Sequence, residues 1–300
     1  QLLGTSEILW PNIFINDENE SKKKAYLLLK KIHKINDLEK LKVNNILIGD
    51  LIYDGYLKKF QKATIDLSEK QFVNYFTDAI TLFDYWIKYF KNNNVKTVVC
   101  FHSVYLCALP IRIAIAKNIK SYAVSVEKIY YLSKNNYLPS QEHLFFKYQK
   151  KKIPYKEIQK GIKLAKKEMN DKFSGNLNSS MLYLSKSPYG KLGKKKVIKK
   201  TNKIKILIAP HALSDSPHAL GTHFFPDYYL WIKDLIKIKK ITNYDWYIKI
   251  HPNMNFYNDR TEEIIKEISK DQKINFLNPT TSHKQIIKDG IDFAITVHGN

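Results

Sequence analysis

Short apolar runs alternate with longer amphipathic stretches along most of this chain, and that alternation sets the expected architecture. Glu20 to Ile35 has a helical period, with Tyr26, Leu29 and Ile32 on one face. Asn45 to Gly49 is a short apolar run expected to form a buried strand. Glu69 to Lys91 predicts a long amphipathic helix rich in Phe, Tyr and Leu. Lys96 to Phe101 predicts a second strand, Val104 to Lys117 a helix and Ser121 to Ser125 a third strand. Tyr155 to Lys172 is helical in period. The rhythm then restarts, with strands expected at 204–209, 246–250, 274–277 and 292–297. Helices are expected between them at 227–240, 261–269 and 282–288, the first capped by Asp227. Strands alternating with helices predict parallel sheets under helical cover. The expected fold is therefore α/β, with two Rossmann-like domains around a cleft.

Between the two series, 175–193 is rich in Ser, Asn and Gly, and 194–205 is a lysine run holding Val197, Ile198 and Ile204 as its apolar residues. This stretch reads as the link between an N-terminal domain at 1–190 and a C-terminal domain at 200–300. Its lysines also suit an anionic membrane surface. The chain begins without methionine and stops at the end of an expected strand. It reads as a fragment clipped at both ends, with the C-terminal domain truncated.

Composition narrows the classes. A 44% apolar and 13% aromatic content argues against global disorder. Cys100 and Cys107 do not make a disulfide framework, which favours a reducing compartment. No run approaches a membrane-spanning length, and no signal peptide opens the chain. Net charge is +22, but 48 of the 50 basic residues are lysine. Arginine is the residue that reads bases and clamps phosphates bidentately, so nucleic acid is not the expected partner. Anionic substrates or an anionic membrane face are.

The candidate chemistry follows the expected strands. Tyr247 to Ile250 ends at His251-Pro252, where proline stops the ladder and leaves an imidazole on the strand's carboxyl lip. Ligands of open α/β sheets bind along that lip. Alternation puts Lys249 on the same side as His251. The loop after the 204–209 strand carries His211, Ser214, Asp215, His218 and His223. A metal reading of its histidines fits no zinc spacing, and substrate or phosphate contact is the favoured reading. His298, Gly299 and Asn300 close the last expected strand. In the N-terminal half, Asp50 and Asp54 are expected in a loop after the first strand and His102 after the second. Each is a candidate general base toward an acceptor hydroxyl, against a capping or loop role. No Gly-x-Gly-x-x-Gly, Walker A or Gly-x-Ser-x-Gly sequence is present.

Several of these pieces together resemble bacterial surface-carbohydrate, or capsule polysaccharide, biosynthesis proteins, which are glycosyltransferases of the GT-B type. The pieces are Ile48-Gly49-Asp50-Leu51-Ile52-Tyr53-Asp54, His102 to Tyr105, Asp215-Ser216-Pro217-His218 with Phe225 to Trp231, Lys249-Ile250-His251-Pro252, and Asp292 to Asn300. The pattern also resembles sialyltransferase-like, Kdo-transferase-like and glycerophosphotransferase enzymes that use cytidine nucleotides. The resemblance implies a nucleotide-sugar donor, CMP-linked among the options, in the C-terminal half and a polysaccharide or lipid-linked glycan acceptor in the N-terminal half. It implies His251 as a donor-phosphate contact and His298 to Asn300 as a second phosphate or ribose contact. Metal-independent transfer without a resident cofactor follows, in a cytoplasmic protein peripheral to the inner membrane. The family pattern continues into a helix bearing a glutamate, which this sequence does not reach. A CDP-polyol phosphotransferase and a non-catalytic polysaccharide-binding module are the alternatives.

Overall fold

The computed structural model describes residues 18–125, 128–139, 152–176, 187–221, 224–252 and 260–297. The fold is mixed α/β, and the chain divides into two compact units. The first comprises Gln1–Phe60, Ile65–His143 and Ser216–Pro226. The second comprises Gln61–Thr64, Leu144–Asp215 and Asp227–Asn300. The division near residue 143 precedes the lysine run from which the sequence reading drew its boundary.

In the first unit, helices α1 (Glu18–Leu29) and α2 (Ile35–Glu39) lead into strands β1 (Lys42–Val43) and β2 (Ile46–Leu47). Here the structure corrects the sequence reading. The expected buried strand at 45–49 is half of an antiparallel hairpin, pairing Val43 with Ile46. Asn44 and Asn45 both have positive φ, 51° and 62°, as a two-residue type I′ turn demands. The chain then enters helix α3 (Gly49–Phe60) directly, with every residue from Gly49 to Leu57 buried. Gly49 permits this entry, because a Cβ there would lie 1.7 Å from the Leu38 carbonyl oxygen.

Helix α4 (Lys70–Asn92) buries Phe72, Phe76, Ala79, Ile80 and Phe83 in the same core as α3. Strand β3 (Thr97–Cys100), a short 3₁₀ turn, helix α5 (Leu109–Ala116) and strand β4 (Lys120–Val124) follow. β3 and β4 are parallel. Strand β5 (Ile129–Leu132) folds back antiparallel on β4, so the first unit's sheet is mixed, not parallel as expected.

The second unit is more regular. It opens with helix α6 (Tyr155–Ser174), which ends at Gly175 in the left-handed conformation. Strand β6 (Lys205–Ile208), helix α7 (Tyr228–Lys240), strand β7 (Asp245–Lys249), helix α8 (Thr261–Ile268), strand β8 (Ile274–Leu277), helix α9 (His283–Lys288) and strand β9 (Phe293–Ile295) follow. The four strands form one sheet in the order β8-β7-β6-β9, all parallel. Asp227 caps α7 as expected, accepting the Leu230 N–H at 2.8 Å. Two of the apolar residues inside the lysine run, Val197 and Ile198, are pinned. Ile198 is buried with Leu207, Tyr247, Leu277 and Ile286, and the Val197 N–H donates to Asp289 at 2.7 Å. Among the described residues no helix is long and apolar enough to cross a membrane.

Candidate functional site

The strand order places a topological switch between β6 and β9. Chain leaves β6 toward one side of the sheet and arrives at β9 on the other. Loops at the carboxyl ends of such strands diverge and leave room for a ligand. The second unit gathers basic side chains at that edge.

Lys249 is the last residue of β7 and pairs with Leu277 of β8. Alternation along β7 puts it on the face of Tyr247, which is packed in the apolar cluster with Ile198 and Ile286. The ammonium group is carried into the interior as a result: Lys249 is 4% exposed. Among the described residues no carboxylate forms an ion pair with its ammonium group. Burial pulls its pKa down from 10.5 to about 8.

His251 lies two residues on. Burial, then the neighbouring His211 and Lys249, hold its pKa below the ordinary histidine range. His283 is the first residue of α9, in the connection that leaves β8. Burial, then the charges of Lys249, His251 and Lys172, lower it to about 4. Its N–H donates to the Pro188 carbonyl at 2.8 Å, and its ring meets Tyr189 edge-on at 5.3 Å. The hydroxyl of Ser282, the residue before it, donates to Gly190 rather than capping α9.

His211 lies 5.2 Å from the Tyr228 ring, with Nδ1 3.8 Å from Asp215. Ser214 is buried, and the Leu213 N–H before it donates to Thr261 Oγ1 at 2.8 Å, fixing the loop to α8. The charges of Lys249, His251, His283 and His211 thus act on one another, and Asp215 is a carboxylate paired with His211. A buried ammonium costs several kcal/mol unless something compensates it. A methionine or leucine would fill the same space without that cost. The arrangement is chemically suited to a phosphate or diphosphate.

The loop after β6 does not act as one site. His211, Ser214 and Asp215 belong to the second unit, while His218 belongs to the first, where it joins Asp54 and Glu39. Asp54 is not in a loop. It lies on α3, 1% exposed, with Oδ1 2.5 Å from His218 Nδ1 and Oδ2 accepting the His218 N–H at 3.1 Å. His218 Nε2 is 3.0 Å from Glu39 Oε1. Both ring nitrogens face carboxylate oxygens, so both donate and the ring is an imidazolium. Burial alone lowers the His218 pKa. The bonds to Asp54 and Glu39 and the charges of Asp54 and Asp50 outweigh it and raise the pKa.

Asp50 is also on α3, paired with buried Arg112 at 2.6 Å. Arg112 donates further to the Leu47 carbonyl at 3.3 Å and lies over the Tyr137 ring. Asp50 and Asp54 are thus helical residues already engaged by Arg112 and His218. The expectation that Asp50 and Asp54 are free loop bases is corrected on that ground. His102, just past β3, is exposed, with its ring edge-on to Phe101. His223, His298, Gly299 and Asn300 lie outside the described residues. Among the described residues no group of three or more His, Cys, Asp or Glu is arranged to hold a metal ion.

Sequence reasoning missed His283, Arg112 and Glu39. The carboxyl-edge argument that selected His251 applies equally to the connection after β8 and points to His283. Arg112 had its own signal: an arginine inside Leu-Pro-Ile-Arg-Ile-Ala-Ile-Ala must find a buried acceptor. No family model, no curated protein and no solved structure matches the chain.

Proposed function

We propose that this chain is a glycosyltransferase of the GT-B type that moves a sugar from a nucleotide-sugar donor to a surface polysaccharide or lipid-linked glycan. The observation that carries the reading is Lys249, a buried ammonium that no carboxylate pairs among the described residues, at the carboxyl edge of an all-parallel sheet, beside His251 and His283. In this reading the second unit is the Rossmann-like donor half, and those three side chains hold the donor's phosphate. As the glycosidic bond to phosphate breaks, negative charge grows on the leaving oxygen. The Lys249 ammonium, fixed there in advance, stabilises that charge more than it stabilises the ground state. The first unit binds the acceptor. His102 is the candidate base there, because Asp50 and Asp54 are committed to Arg112 and His218.

A thermal-shift series with cytidine, uridine and guanosine mono- and diphosphates tests the donor assignment. At a ligand concentration of about 100 Kd the binding linkage is worth about 2.7 kcal/mol, a readily measured rise in Tm. The expected result is a rise with one nucleotide class, and no rise with any of them overturns the reading. For the base, His102→Ala is expected to keep the nucleotide shift and lower transfer of labelled sugar by about 10²- to 10⁴-fold. Unchanged transfer removes His102 from the mechanism.

A further inference from the structure

Helix α6 ends against the basic cluster. Phe173, in its last turn, is 45% exposed, and its ring meets the Tyr189 ring at 5.0 Å and 88°. Tyr189 in turn meets His283 at 5.3 Å and 87°. Three rings from three parts of the second unit thus stand in series, each close to perpendicular to the next. His283 carries the series into the cluster, because the charges of Lys249, His251 and Lys172 all act on its ring.

The central ring is fixed through its backbone. The Tyr189 N–H donates to Ser187 Oγ at 3.2 Å. The carbonyl before it, of Pro188, accepts the His283 N–H at 2.8 Å, and the carbonyl after it, of Gly190, accepts the Ser282 hydroxyl at 2.9 Å. The Tyr189 carbonyl lies against Gly175, where a Cβ would stand 3.0 Å from the oxygen. Gly175 has a φ of 92°, so conformation and close approach both require glycine there. These ties hold the ring in place without using its phenol. Packing alone does not explain the series. No residue of α6 is buried, Phe173 is exposed, and Tyr189 and His283 are half-buried, so the rings stay partly open to solvent.

Two perpendicular rings make a corner. A flat heterocycle that stacks on one ring meets the other at its edge, and these are the two geometries that aromatic pairs favour. An aliphatic chain gains nothing from the right angle. The neighbouring cations ask for an anion at the other end of the same ligand. A base joined through ribose to phosphate has both features.

We propose that Phe173, Tyr189 and His283 form a stacking subsite for the base of a nucleotide whose phosphates lie on the Lys249 cluster. The inference rests on the donor reading above and deepens it by naming the side chains that receive the base. Every base has a π face, so such a subsite separates nucleotides from base-free phosphates.

The test is isothermal titration calorimetry of the whole chain with cytidine, uridine and guanosine diphosphates and with inorganic pyrophosphate, which keeps the two phosphates and lacks the base. A nucleoside diphosphate is expected to bind more tightly than pyrophosphate. Tyr189→Leu should weaken that nucleotide roughly 5- to 150-fold, the range for one base–aromatic stack, and leave pyrophosphate unchanged. Tyr189→Phe should bind both ligands as the unaltered chain does. Phe173→Ser changes an exposed position and should also weaken the nucleotide alone, so the test survives if Tyr189→Leu disturbs its segment. Lys249→Met, by contrast, should weaken both ligands. Three results overturn the subsite and leave the donor reading standing. They are pyrophosphate binding as tightly as every nucleotide, Tyr189→Leu and Phe173→Ser keeping full nucleotide affinity, or both variants losing the two ligands in equal measure. No binding of any of the four probes overturns the donor reading and the subsite with it.

Discussion

Replacing Lys249 with methionine is expected to raise the stability of the protein and to abolish its thermal shift with nucleotides. The two effects have opposite signs, and that is what separates a site from a structural lysine. The ammonium is buried in no ion pair among the described residues, and burial lowers its pKa from 10.5 to about 8. A lysine whose folded pKa lies below its unfolded value opposes folding wherever it is charged. The penalty is full below about 8 and fades as pH rises toward 10.5, because there the unfolded chain holds the proton and the folded one does not. The pKa gap corresponds to about 3 kcal/mol, and a gain of about 1–3 kcal/mol at neutral pH is expected from methionine. The advantage of Lys249→Met over the unaltered chain should shrink across the same pH window. A loss of stability in Lys249→Met, with nucleotide shifts intact, would show that Lys249 is a packing element and that the phosphate lies elsewhere.

His218→Ala is expected to have the largest destabilising effect, about 3–5 kcal/mol in chemical denaturation. Removing the imidazolium orphans the buried Asp54 Oδ1, while Oδ2 keeps the backbone N–H of residue 218, and leaves Glu39 without its counter-charge. Tyr53 also loses the ring packed edge-on against it at 5.1 Å. The deficit should depend on pH. Burial already raises the Asp54 pKa to about 6, against the opposing bond and charge of His218. Without His218 that opposition is gone, so Asp54 should take up its proton at a pH above 6. A carboxyl whose folded pKa is raised opposes folding when ionised and ceases to do so once protonated. In the folded chain His218 keeps its proton up to about pH 10, against 6.5 ordinarily, so the stability it contributes is full below 6.5 and lost toward 10. The deficit should therefore shrink as the solution is made alkaline, and His218→Ala combined with Asp54→Asn should recover most of it. A deficit independent of pH, or no recovery in the double variant, would mean that lost packing rather than the orphaned charge dominates.

The second unit was legible because each signal there acted locally. The apolar runs that became β6, β7 and β8 are bounded by turn residues, and Asp227 stands where a cap is needed. His251-Pro252 lies just past β7, as the terminated ladder required. The first unit was harder for identifiable reasons. Asn44-Asn45 is a hairpin turn, and missing it converted half a hairpin into a buried parallel strand. Residues 49–57 are buried all round, so α3 lacks the polar face that identifies a helix. Asp50 and Asp54 looked like loop bases because their partners, Arg112 and His218, lie 62 and 164 residues away along the chain. Pairings of that range leave no mark in local spacing. His218 in particular sits in a segment that follows a second-unit strand yet packs in the first unit.

Among the described residues no ion pair joins Lys249 to a carboxylate, and this bears on the energetics of binding there. Near neutral pH His283, with a pKa of about 4, is neutral, and Lys249, at about 8, is close to its own titration point. A dianion seated among them favours their protonated forms and draws hydrogen ions from solution. Binding of the proposed donor is then expected to consume protons, so its heat in a calorimeter should contain the ionisation enthalpy of whichever buffer supplies them. Affinity then declines toward alkaline solution, and the pH of the surroundings enters the binding equilibrium as a second ligand.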